Sequence, residues 1–215
     1  MTAPYHLAWR YVMRHAWQSL LLAGALGMVL ALPVAVRLLV HAAETAMRAR
    51  ATATPALLGH PGSAADLLLG GLYFSKLDLP TIPHRHIEEL NAAGLGNAIP
   101  LHLHFHAQKA PIVGTSLDYF AFRGLRIAQG QNLVRLGDCV IGSRVASDRG
   151  LGPEDSIYSS PEQLFDMAGT YPLKMRIRGV LAESGTPDDE AIFVDLKTAW
   201  VIQGYSHGHD DLQTA

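Results

Sequence analysis

Eleven histidines among 215 residues give this chain its only pattern with the look of chemistry. His102, His104 and His106 alternate with Leu101, Leu103 and Phe105. On an extended strand that period sends all three imidazoles to one face, close enough to share a zinc ion through neutral ring nitrogens. The same alternation also describes a strand with its leucines and phenylalanine packed inward and its histidines in water. His84-x-His86 and His207-x-His209-Asp210 are further pairs. The three strand histidines are thus the candidate metal ligands, and no carboxylate close by in sequence is placed as a general base.

Other chemistry is thin. Asp188, Asp189 and Glu190 cluster in a Pro- and Gly-containing stretch, 183–190, whose composition predicts a solvated acidic surface. Ser143 follows Gly142, a pair that suits a turn and helix start. The chain has no G-x-x-x-x-G-K-[ST] and cannot hydrolyse ATP by that route. It also lacks G-x-S-x-G, H-E-x-x-H and C-x-x-C. No catalytic or cofactor-binding residue is assigned. The single cysteine, Cys139, excludes an internal disulfide framework. A net charge of −2 carries no nucleic-acid signal.

The elements that must position these residues fall into two regions. Only 17% of residues are charged, and the deficit is local: none lies between Arg14 and Arg37. Ser19 to Val40 is a run of 22 residues, about 33 Å of helix at ~1.5 Å per residue, long enough to cross a bilayer core. Arg37 sits near its end, where a long cation snorkels to the interface. Pro33 is tolerable inside a membrane helix. A polar lead of 18 residues and the lack of an A-x-A site after the apolar run argue against a cleaved signal peptide. In the lead, His6, Arg10, Arg14 and Gln18 recur every four residues and form a polar stripe. Trp9, Met13 and Trp17 lie mostly away from it, as in an amphipathic helix at a headgroup layer. Arg10 and Arg14 favour a cytoplasmic N-terminus, an argument blunted by Arg37, Arg48 and Arg50 beyond the span. Ala23, Gly27, Ala31 and Ala35 form a ladder of small residues on one face.

The helix is expected to run on to about Arg50. Beyond Thr52 the sequence predicts short mixed elements. Asp66 to Leu69 is expected to be a strand ended by Gly70-Gly71. His84 to Ala93 is expected to be a helix closed by Gly94. Ile99 to Ala107 and Leu173 to Arg178 alternate with period two, as strands do. Cys139 to Ile141 and Ala191 to Val194 suit short strands. Ser143 to Arg149 suits a helix stopped by Gly150, and Asp195 suits the cap of a helix reaching about Ile202. Mixed short elements predict an α+β fold. The expected organisation is a cytoplasmic-face amphipathic helix at 1–18, a transmembrane helix at 19–40 and an extracytoplasmic region at 41–215.

Several short stretches, in this order, resemble the permease subunits of the MacB/LolC/FtsX-like ABC transporter superfamily. They are Leu7-Ala8-Trp9-Arg10 before the span, then Ile112-Val113-Gly114-Thr115 leading into Leu117-Asp118-Tyr119-Phe120. Gly124-Leu125, Gly130, Cys139-Val140-Ile141-Gly142-Ser143 and Val145-Ala146 follow. Ile177-Arg178-Gly179-Val180-Leu181, Gly185-Thr186-Pro187 and Ala191-Ile192-Phe193-Val194-Asp195-Leu196 complete the set. Gly152-Pro153-Glu154-Asp155 stands where the superfamily often has Gly-Asp.

The resemblance implies a periplasmic MacB-like core domain on a membrane stalk, anchored in a bacterial inner membrane with the N-terminus cytoplasmic. It implies a separate P-loop ATPase subunit that binds the ATP, contact with membrane lipid, a dimer of permease subunits, and a role in export or mechanical signalling. The superfamily has further membrane helices after this domain. The chain is therefore expected to be the N-terminal half of such a permease, C-terminally incomplete. The rival reading is a membrane-anchored periplasmic binding module that takes a divalent metal through its histidines.

Overall fold

The computed structural model describes residues 3–75, 79–94, 96–160 and 172–204. The chain forms two compact units, 1–55 and 56–215.

The first unit is helical. Helix α1, Ala3–Arg14, ends at His15, whose φ of −118° and ψ of 42° leave the helical region. Helix α2 then runs unbroken from Ala16–Thr52, 37 residues or about 55 Å. Alanine and leucine dominate it, and both are strong helix formers. Pro33, its one internal breaker, lacks the amide that would bond the carbonyl of Val29. The amide of Ala53 folds back on Ala49, and Pro55 follows, so the helix stops. No residue in its most apolar stretch is buried, and mean hydropathy there is 2.3. Leu22, Met28 and Leu39 are each more than 70% exposed. Such a surface needs an apolar surround.

The second unit is an α+β fold built on one mixed seven-stranded sheet. Its strands are β1 (Leu101–Ala107), β2 (Ala110–Thr115), β3 (Ile127–Gly130), β4 (Asp138–Ile141), β5 (Ser156–Tyr158), β6 (Lys174–Leu181) and β7 (Ile192–Asp195). Their order is β1-β2-β7-β4-β6-β3, with β5 also on the outer side of β6. The pairs β2–β7 and β4–β6 are parallel and the rest antiparallel. The sheet curls: the amide of Ser160, just past β5, reaches the carbonyl of His106 on β1 at 2.8 Å.

Both faces of the sheet are covered. On one, Phe105, Ile112, Cys139, Ile141, Met175, Ile177, Ile192 and Val194 pack with Val145 of α6 (Ser143–Arg149) and with Ala199 and Ile202 of α7 (Leu196–Ile202). On the other, Leu103, Val113, Val140, Leu181 and Phe193 pack with Tyr119 and Phe120 of α5 (Asp118–Arg123) and with Phe74. Phe193 is fully buried, with the rings of Tyr119 and Phe120 both at 5.5 Å and Phe74 at 6.2 Å. Burying one such side chain stabilises the fold by about 1.5–3 kcal/mol.

Most sequence expectations match these elements. The predicted helix from His84 is α4 (Arg85–Ala92), and Asp195 caps α7 by accepting from the amide of Lys197 at 2.9 Å. One expectation is corrected. Asp66 to Leu69 is not a strand but part of helix α3, Ala64–Tyr73. Ser63 caps α3 by accepting from the amide of Asp66 at 3.2 Å. Phe74, in the left-handed region at φ 54°, closes it.

Candidate functional site

The histidine strand does not present three rings on one face. Its pairing with β2 sets Leu103 opposite Val113 but Phe105 opposite Ile112, so His104 is an extra residue in a β-bulge. A bulge shifts the alternation by one. Before it, His102 lies opposite Gly114 and faces α7; a Cβ on Gly114 would sit 2.6 Å from that of Ala199 and 3.2 Å from that of His102. After it, Phe105 and Ala107 occupy the α7 side. His106, opposite Pro111, therefore points to the other face and is exposed. His102 is 7% exposed, with its ring 6.3 Å from that of His104 and 5.9 Å from Phe105. Its Nε2 has no hydrogen-bond partner among the described residues. Burial first, and then the neighbouring His104, hold the His102 imidazole below its ordinary 6.5. The geometry thus keeps it neutral inside a packed layer.

The other histidines lie apart. His84 meets Trp200 of α7 edge to face at 5.5 Å, and His86 pairs with Glu89 at 2.9 Å. His207, His209 and Asp210 lie outside the described residues. Among the described residues, no three His, Cys, Asp or Glu side chains are grouped to hold a metal ion.

The acidic stretch is the second correction. Asp188 is fully buried and Asp189 is 3% exposed; of these three clustered carboxylates only Glu190 is at the surface, paired with Arg144 at 2.5 Å. Asp188 accepts from the Tyr119 hydroxyl and from the Thr186 hydroxyl, each at 2.7 Å. Asp189 accepts from the amides of Ser184 and Gly185 and from the Ser184 hydroxyl, at 2.7–3.1 Å. Two carboxylates can be buried here because each is met by several donors. They tie a short 3-10 turn, Pro187–Glu190, that leads into β7. Gly142 is the counterpart on the neighbouring strand's end. Its amide bonds the carbonyl of Ala191 at 2.9 Å, and a Cβ there would collide with the backbone carbonyls of Asp188 and Asp189. Gly142-Ser143 is therefore a close backbone crossing at the start of α6. Cys139 is buried in the same layer, and burial, with Asp138 beside it, pushes its thiol up to about 12.

Two groupings escaped the sequence reading. One is the bond between Tyr119 and Asp188, which are 69 residues apart; only pairing information could have joined them. The other is the row Lys174, Arg176 and Arg178 on the outer face of β6, gathered with Arg135, Asp138 and Glu154. Its alternation was visible, but the loop residues that complete it were not.

No family model and no curated protein sequence matches the chain. Among solved structures, it is similar to the extracellular domain of the noncanonic ABC-type transporter YknZ from Gram-positive bacteria. That likeness has 11% identity and a TM-score of 0.44, covering 57% of this chain and 67% of that one. It is also similar to the periplasmic region of MacB from Actinobacillus actinomycetemcomitans, at 14% identity and a TM-score of 0.38, over 54% of this chain and 56% of that one.

Proposed function

We propose that this chain is the membrane-anchored component of an ABC transporter. In this reading α2 crosses the membrane and carries the second unit on the extracytoplasmic side of a bacterial inner membrane. The amphipathic α1 lies at the cytoplasmic face, where a separate P-loop ATPase engages it. Two copies of the component assemble, and movements of the ATPase reach the extracytoplasmic unit through α2.

The observation that carries the reading is α2 itself. Its apolar stretch is exposed throughout, and its 37 residues exceed what a bilayer core of about 30 Å requires. The surplus is helical, and a continuous helix transmits displacement along its axis better than a flexible linker. Further support comes from where the resemblance falls. Ile112–Thr115, Cys139–Ile141, Ile177–Leu181 and Ile192–Asp195 lie on β2, β4, β6 and β7, the central strands, and Gly185-Thr186-Pro187 lies in the carboxylate-tied turn. The resembling residues are thus those that build the core of the unit.

Reporter fusions at the N-terminus and after Thr54, with alkaline extraction of membranes, test the anchor and its orientation. The reading expects an integral protein with Thr54 outside. The coupling role is tested by purifying the full chain from native membranes and identifying bound proteins by mass spectrometry. A P-loop ATPase lost on deleting residues 5–18 is expected. An ATPase that stays bound after that deletion removes α1 as the contact, and a chain released by alkaline extraction removes the anchor.

A further inference from the structure

The outer face of β6 presents Lys174, Arg176 and Arg178, while Met175 and Ile177 between them are in the core. Arg178 is committed: it bonds Gln131 at 3.1 Å and Glu154 at 3.3 Å, and lies 3.8 Å from Asp138. Arg176 pairs with Glu154. Both carboxylates are engaged too. Glu154 bridges the two arginines, and the buried Asp138 turns to the loop before β4, accepting from the amide of Arg135 at 2.8 Å. That leaves Arg135 and Lys174 with no counter-charge among the described residues.

These two cations line one groove of about 480 Å³ together with Arg176, Asp138, Glu154 and Ser156. The register builds its floor, since Arg176 lies opposite Asp138 on β4 and opposite Ser156 on β5. Among the described residues, the groups at the groove without a side-chain partner are therefore two cations and the Ser156 hydroxyl. That donor set matches an anion bearing several oxygens. Beside it, Val134 and Leu136 flank Arg135 and are 68% and 61% exposed. An apolar tip next to a cationic groove suits an anion attached to an apolar body.

We propose that this groove binds a phosphate ester, carried either by a lipid headgroup or by a soluble molecule. The proposal is independent of the ATPase reading above. The test is amide NMR on the full chain in nanodiscs, with titration of glycerol 3-phosphate into uncharged discs and comparison with discs containing phosphatidylglycerol. Saturable shifts at Gly137 and Ser156 are expected. Shifts with phosphatidylglycerol alone assign a lipid headgroup, and shifts with both assign any phosphate ester. Arg135→Glu with Lys174→Glu should weaken binding at least tenfold, and the milder Arg135→Gln with Lys174→Gln should weaken it in the same direction if the reversal unfolds the unit. Lys109→Glu with Lys197→Glu, an equal change of charge elsewhere on the surface, should leave binding intact. No saturable shift with either probe, or equal loss in the Lys109/Lys197 variant, overturns the proposal.

Discussion

His102 should make the second unit acid-sensitive. Its imidazole is held below its ordinary 6.5 by burial and by His104. The sign follows from proton linkage. Between that ordinary value and the lower folded one, the unfolded chain binds a proton that the folded chain refuses, so stability falls as pH falls. Above the ordinary value the effect vanishes, and below the folded value it stops growing. A full proton is worth about 1.4 kcal/mol per pH unit. Within that window each unit of acid therefore lowers the stability by up to that amount. With a urea slope of about 2 kcal/mol per M, the midpoint moves by up to about 0.7 M per pH unit within that window.

The perturbation is His102→Leu, which removes the titrating nitrogen and roughly keeps the volume facing Ala199 and Phe105. The assay is urea unfolding of the full chain in maltoside micelles, in a Trp9→Phe/Trp17→Phe background so that Trp200 reports. As the pH falls through that window, the wild-type midpoint should fall further than that of His102→Leu. Equal acid slopes for wild type and His102→Leu would refute the reasoning, because the buried ring would then be free to take its proton.

Tyr119→Phe removes one donor from the buried Asp188 and should cost about 1–3 kcal/mol, read as a fall in melting temperature by circular dichroism. Gly142→Ala should destabilise by more than about 2 kcal/mol or misfold, since its Cβ meets backbone carbonyls that cannot rotate away. Gly152→Ala, with open space around it, should be neutral or gain up to about 1 kcal/mol in the same melting assay. Leu26→Arg with Val29→Arg should each add about 2.5–3.5 kcal/mol to the cost of inserting α2, seen as loss of the chain from the alkali-resistant membrane fraction. Cys139, with its thiol pushed up to about 12, should react with a maleimide at pH 8 only as fast as the unit opens, so that urea and not higher reagent concentration accelerates labelling.

What was legible in the sequence was local. The apolar run and its length announced α2; Asp195, Gly150 and the alternation around Met175 announced their elements, because caps, stops and half-buried strands are written within a few residues. Three features failed for physical reasons. Leu67-Leu68-Leu69 is too short an apolar run for periodicity to separate strand from helix, and the Ser63 cap three residues before Asp66 was the signal passed over. The histidine face failed because a one-residue bulge reverses inside and outside, and nothing in an alternating sequence marks which residue is the extra one. The acidic stretch failed because composition counts charges but cannot see donors: one of the two hydroxyls that meet Asp188 comes from Tyr119 of α5, 69 residues away.

These failures share a direction that bears on function. Several of the residues that hinted at chemistry, or sit beside those that did, take part in packing and turns. His102 fills a layer under α7, Asp188 and Asp189 hold the turn into β7, and Gly142 lets two backbones cross. Buried polar groups tied by several short hydrogen bonds resist local opening, because breaking one leaves its partner desolvated and unpaired. They stand where β4 ends, β7 begins and α6 starts, and so tie the turns that join the central strands. Arg135, in the loop before β4, and Lys174, on β6, stand in contrast: both are exposed and neither has an ion-pair partner among the described residues. The buried polar groups thus hold the turns of the unit together, whereas the proposed phosphate-ester binding rests on exposed cations that no described carboxylate pairs with.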